Sequence, residues 1–107
     1  MIRMMILSVS VGLSAFVPAS AQTVDPATGR HLAETTCSAC HQIDAGAANP
    51  GPQSGAPSFV DISRMPSTNE LAIKVFLRST HQHMPNIILT PEEIDSVAAY
   101  ILSLAAK

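Results

Sequence analysis

No stretch of this sequence alternates apolar and polar residues as a half-buried strand does, and runs of β-branched residues are few. A sheet-based fold is therefore excluded, and the fold class reads as all-α. There is no internal repeat, so the chain reads as a single unit rather than an array. Charge is scarce, at 13% of residues, and forms no run. Beyond residue 21 the chain carries five basic residues (Arg30, Arg64, Lys74, Arg78 and Lys107) against eight acidic ones, a formal charge of −3. That balance argues against nucleic acid as a partner. No apolar run reaches the roughly 20 residues that span a bilayer. Tryptophan is absent and cysteine occurs only twice.

The most apolar run lies at the start. Arg3 precedes an almost unbroken apolar stretch from Met4 to Val17, then Pro18 and the small-residue step Ala19-Ser20-Ala21. This order is that of a secretory signal peptide covering residues 1–21. An uncleaved membrane anchor is the alternative, but the run is short for one and the cleavage site is well formed. Cleavage after Ala21 leaves residues 22–107 as one small domain with a limited core.

Four helical segments are predicted in that domain. Asp25-Pro26 starts the first, with Asp25 as N-cap and Pro26 in the first turn, and it runs to about Thr36 with Gly29, Leu32 and Ala33 on one side. Asp61 to Met65 forms a short helical turn before Pro66. Ser67-Thr68-Asn69-Glu70 matches a capping box with Ser67 as cap, opening a helix through Leu71, Ala72, Val75, Phe76 and Leu77 to about Ser79. Thr90-Pro91-Glu92-Glu93 is a second capping box. From it runs a stripe of Ile94, Val97, Ala98, Ile101, Leu102 and Ala105, with Tyr100 at its edge. The stretch from Asp44 to Ser58 is punctuated by proline and glycine and shows no period. A flexible linker is one reading. A loop packed along a bound group is the other, and it ends at Phe59, which is expected inside.

The two cysteines stand together in Cys37-Ser38-Ala39-Cys40-His41. Cys-x-x-Cys-His is the attachment signature of c-type haem. Each thiol adds across one haem vinyl group to form a thioether. Two intervening residues on a turn set both sulfurs along one haem edge, and the next residue brings an imidazole under the iron. The second nitrogen of His41 then needs an acceptor that fixes its tautomer. A thioredoxin-like dithiol uses the same spacing but needs strands around it. A zinc site from Cys37, Cys40, His81 and His83 has suitable ligand types, yet His-x-His is tighter than the usual finger spacing and about 40 residues intervene. With both cysteines claimed by haem, no disulfide is expected.

A sixth ligand is sought near Thr80-His81-Gln82-His83-Met84-Pro85. Pro85 forces Met84 towards an extended conformation, outside a helix, where its thioether is free to bind iron. Met65 is the other methionine beyond the leader. A methionine is often core filler. His81 and His83 are rival ligands by their chemistry.

Taken together these residues resemble a small bacterial class I cytochrome c over nearly the whole of residues 22–107. The features are Gly29 eight residues before Cys37, the Cys37–His41 motif, a loop around Pro52 and Pro57, the Met84-Pro85 step and Tyr100 in the last helix. The resemblance implies three to four helices wrapped around one covalently attached haem c, with His41 and Met84 on the iron. It implies a close crossing of the first and last helices at Gly29. It also implies that a loop proline carbonyl accepts from His41, Pro57 being preferred to Pro52. The haem-binding set is then Cys37, Cys40, His41, Met84, Pro57 and Phe59. Ala33 stands where many relatives carry an aromatic residue, and no tryptophan is present to bond a haem propionate.

The functional expectation is a periplasmic, monomeric single-electron carrier that docks redox proteins at the exposed haem edge. Two rivals differ in class. A haem enzyme or ligand sensor needs Met84 off the iron, with His81 or His83 as a distal acid–base group; no arginine stands beside them to complete a peroxidase-like site. A dedicated electron-donor subunit of a dehydrogenase or reductase would share every feature above. The motif leads to the first expected outcome. After denaturation in acid acetone, haem should stay with the chain, and Cys37→Ala or Cys40→Ala should weaken maturation. Haem that extracts freely from the mature protein would exclude thioether attachment.

Overall fold

The structure, a computed structural model, describes residues 15, 24–45 and 54–106. The expected leader, Ala15 apart, and Pro52 lie outside the described residues. Those residues form four α-helices and no sheet: α1 Pro26–Leu32, α2 Phe59–Arg64, α3 Glu70–Leu77 and α4 Pro91–Ser103. Among them no helix is long and apolar enough to cross a membrane.

Local chemistry starts each helix. Asp25 caps α1 by accepting from the Ala27 N–H, and Pro26 loses nothing in a first turn whose N–H groups lack partners anyway. Ser58 caps α2 through the Asp61 N–H. At α4 both halves of the capping box are made: Glu93 N–H donates to Thr90 Oγ1 at 3.2 Å, and Thr90 N–H donates to the Glu93 carboxylate at 2.8 Å. The start of α3 corrects the sequence reading. Its cap is Asn69, whose side chain accepts from Ala72 N–H at 2.9 Å, and not Ser67. Ser67 and Asn69 are both capping types, but Thr68 and Asn69 lie outside the helix, so the Ser67–Glu70 spacing is not used.

The first and last helices make the core. Gly29 lies against α4 so closely that a Cβ built there would sit 1.9 Å from the Ser96 carbonyl oxygen and 2.9 Å from Tyr100 Cβ. Around this crossing Ala33, Ile43, Phe59, Ile73, Val97, Ala98, Tyr100, Ile101 and Leu104 form one buried cluster. The apolar stripe of α4 departs from expectation at its end. The chain tightens into a 3₁₀ turn over Leu104–Ala106, so Leu104, three residues after Ile101, turns inward and Ala105 is exposed. Tyr100 belongs to the core rather than its edge, at 6% exposure.

Helix α3 holds to the core through Ile73, which is buried, and through Lys74, whose ammonium bridges Glu70 at 2.5 Å and Asp95 of α4 at 2.9 Å. Leu77 also packs partly buried against the core, whereas three other apolar residues stay outside: Leu71 is 70% exposed, Val75 54% and Phe76 45%.

Glycine is ordinarily worse than alanine within a helix by about 1 kcal/mol. At position 29 the order should reverse, since the nearest neighbour is backbone that cannot swing aside. Gly29→Ala is expected to lower stability by about 1–3 kcal/mol, and Gly29→Val by more. Urea unfolding measures this, and a gain in stability for the alanine variant would show that the crossing relaxes freely.

Candidate functional site

Helix α1 does not run regularly into the Cys37–His41 motif. Over Ala33–Cys37 it widens into a π turn, with Ser38 N–H donating to Ala33 O five residues back at 2.9 Å. The Thr35 hydroxyl assists by bonding the carbonyls of His31 and Leu32. A widened turn of this kind often marks a functional position. Here Cys37 ends in the core, at 7% exposure, while Cys40 lies outside. Both thiols are free. The chain then folds back tightly, Cys40 N–H and His41 N–H both donating to Cys37 O.

Burial pushes the Cys37 thiol up, because desolvation disfavours the thiolate. An uncharged thioether would meet no such penalty in that place. Cys40, on the exposed side, is accessible for the same chemistry.

His41 is half-buried and oriented from two directions. Its Nδ1–H donates to the Pro57 carbonyl at 2.7 Å. A carbonyl only accepts, so the proton is held on Nδ1 and the Nε2 lone pair is left for a metal. The Phe59 ring lies against the imidazole with centroids 5.4 Å apart. Phe59 is itself buried, at 3% exposure, and its other neighbour is the Tyr100 ring at 6.3 Å. The far end of the loop is tied in as well. The Ser54 hydroxyl donates to the Cys40 carbonyl and receives the Ala56 N–H. Cys37, Cys40, His41, Pro57 and Phe59 thus converge.

Residues after His41 are fixed too. Phe59 N–H donates to Gln42 O at 2.9 Å, and the Tyr100 hydroxyl donates to Ile43 O at 2.7 Å. The Asp44 carboxylate lies 3.5 Å from the same hydroxyl and pairs with Arg30 at 3.2 Å. Burial, and then the Asp44 charge, hold the Tyr100 phenol above its ordinary range, so it remains a donor at neutral pH. These contacts of Tyr100 are the site feature that the sequence reading missed. They join positions 57 and 56 residues apart, and no local pattern signals them.

Met84 belongs to a second group. It stands outside any helix and lines a shallow depression with Phe76, Leu77, His81 and Pro85. His83 takes a left-handed backbone, φ 72°, and the turn pairs Met84 with His81. His83 is exposed, whereas Met84 is half-buried. His81 stacks on Phe76 with centroids 3.4 Å apart and donates from Nδ1 to Ser79 O at 3.0 Å. Among the described residues no three Cys, His, Asp or Glu side chains gather into a metal cage, so the zinc grouping of Cys37, Cys40, His81 and His83 does not form.

Comparison with known proteins gives matches along most of the chain. A family model described as cytochrome c matches residues 26–105. Cytochrome c-552 of Bradyrhizobium diazoefficiens is 34% identical over 85 residues, covering 79% of this chain and 80% of that protein. No solved structure gives a significant match.

Phe59 is the packing element shared by His41 and the core. Phe59→Ala should cost about 3–5 kcal/mol, at the upper end of single-residue effects, because neighbours on both sides lose contact. Chemical denaturation tests this, and a cost below about 1 kcal/mol would mean that the ring contributes little to holding His41.

Proposed function

The chain belongs to the cytochrome c family, and from that membership we propose that it is a periplasmic mono-haem carrier of single electrons, with residues 1–21 removed on export. Family membership brings covalently attached haem c, which supplies a one-electron couple. The residues fit it. Cys37 and Cys40 are free thiols at the right spacing, and the His41 tautomer leaves Nε2 available. The hydrogen bond from His41 to Pro57 is the observation that carries the reading. It makes the imidazole a better donor to iron and sets the plane of its ring.

In this reading Cys37 and Cys40 would hold the haem, and His41 and Met84 would supply the ligands to its iron. Pro57 and Phe59 keep His41 in place. Leu71, Val75 and Phe76 leave α3 with an exposed apolar surface suited to a large apolar group. Two features favour Met84 over its histidine rivals. The His81 ring is engaged by Phe76 and Ser79, and His83 is exposed on its left-handed turn. With a thioether and an imidazole both bound, the iron would keep no position for substrate, and the sulfur would favour its reduced state. Redox proteins would then dock briefly at the haem edge, over an interface at the small end of the range.

Optical spectra of both oxidation states decide the matter. The oxidised protein should show the weak near-infrared sulfur-to-iron band, and Met84→Ala should abolish it and lower the potential. Met65→Ala should leave both nearly unchanged. A wild type lacking the band, in which a histidine substitution opens the iron to carbon monoxide, would make the iron bis-histidine. Ready carbon monoxide binding by the unmutated protein would favour an enzyme or sensor instead.

A further inference from the structure

Three consecutive residues, the last of the haem motif and the two that follow it, are each held by a different distant partner. The His41 ring is held by Pro57 O, the Gln42 carbonyl by Phe59 N–H and the Ile43 carbonyl by the Tyr100 hydroxyl. Of these, only Tyr100 ties the segment to the crossing of α1 and α4. Its backbone place is set by the Gly29 approach, and its ring backs the Phe59 ring that lies on His41. Its hydroxyl is buried with the Ile43 carbonyl, in a setting where a hydrogen bond is hard to replace with water.

We propose that Tyr100 is a positioning residue for His41: its hydroxyl, by holding the Ile43 carbonyl, keeps the His41 imidazole at the distance and angle at which Nδ1–H bonds Pro57. The proposal rests on His41 as the proximal ligand. The bond to Pro57 increases electron donation from the imidazole to iron, and that donation favours the oxidised state. Releasing Ile43 would let the segment move, weaken the bond to Pro57 and raise the reduction potential. Tyr100 would thereby act on iron without touching the haem. The hydroxyl has one proton, and the Ile43 carbonyl at 2.7 Å takes it ahead of the Asp44 carboxylate at 3.5 Å, which Arg30 engages instead.

The test uses the haem-loaded protein and Tyr100→Phe, which keeps the ring and removes only the hydroxyl. Two quantities are read: the reduction potential, and the solvent exchange rate of the His41 ring N–H in the reduced, diamagnetic state by proton NMR. The variant should have a higher potential, and its His41 ring proton should exchange on the order of fivefold faster, the factor that corresponds to one net hydrogen bond. Val97→Ala is the control. It removes core volume from α4 without touching the hydroxyl, and should lower stability while leaving the potential in place. An unchanged potential in Tyr100→Phe, or slow amide protons throughout the core accelerating as much as the His41 proton, would reduce Tyr100 to a structural residue and overturn the proposal. Failure of the ligand reading is distinct. It would appear in the wild type, as His41 ring signals without the large shift that a haem overhead imposes.

Discussion

Everything in this molecule hangs on how closely two helices approach. At Gly29 the backbone of α1 touches that of α4, with the Ser96 carbonyl where a side chain would otherwise begin. Small domains have little apolar surface to bury, and a close approach raises the share that is buried. It also sets where everything downstream must lie. Tyr100 is placed by the crossing, Phe59 by Tyr100, and His41 by Phe59.

The site is an example of complete polar accounting in a tight space. The motif ends in a turn whose N–H groups converge on one carbonyl, and the next carbonyls find a backbone N–H and a phenol. Among the described residues, no buried side-chain nitrogen or oxygen lacks a hydrogen-bond partner. The cost of leaving such groups unmatched helps to make one arrangement of the segment preferred over its neighbours. A ligand that must meet iron along one line benefits from that uniqueness. The exposed ion pair of Arg30 with Glu34 adds little by comparison, since water screens it.

What was legible in the sequence was local. The Cys37–His41 spacing, the Thr90–Glu93 box and the Asp25-Pro26 start are each complete within a few residues, and the structure contains the turn and both caps. Gly29 was legible through likeness to a family. Ser67 misleads because a cap followed three residues later by glutamate is a pattern that chance supplies readily, while Asn69, extended and directly before the first helical residue, takes the role. Broad apolarity along α3 hides that Ile73 is the residue it buries. The π turn left no mark either, since Ala33–Cys37 has no proline or glycine to announce a change of repeat. The bond from Tyr100 to Ile43 lies beyond any window that reads neighbours.

The crossing of α1 with α4 has a consequence in time as well as in space. These are the first and last α-helices of the described chain, and a contact of such long range can form only when the loop between them closes. A chain made or threaded from its N-terminus cannot complete this core until its final helix has arrived. Through that interval Cys37, which the finished core buries, is still reachable from solvent. Topology thus sets an order of events, in which covalent capture of a bulky partner has time to precede closure of the fold around it.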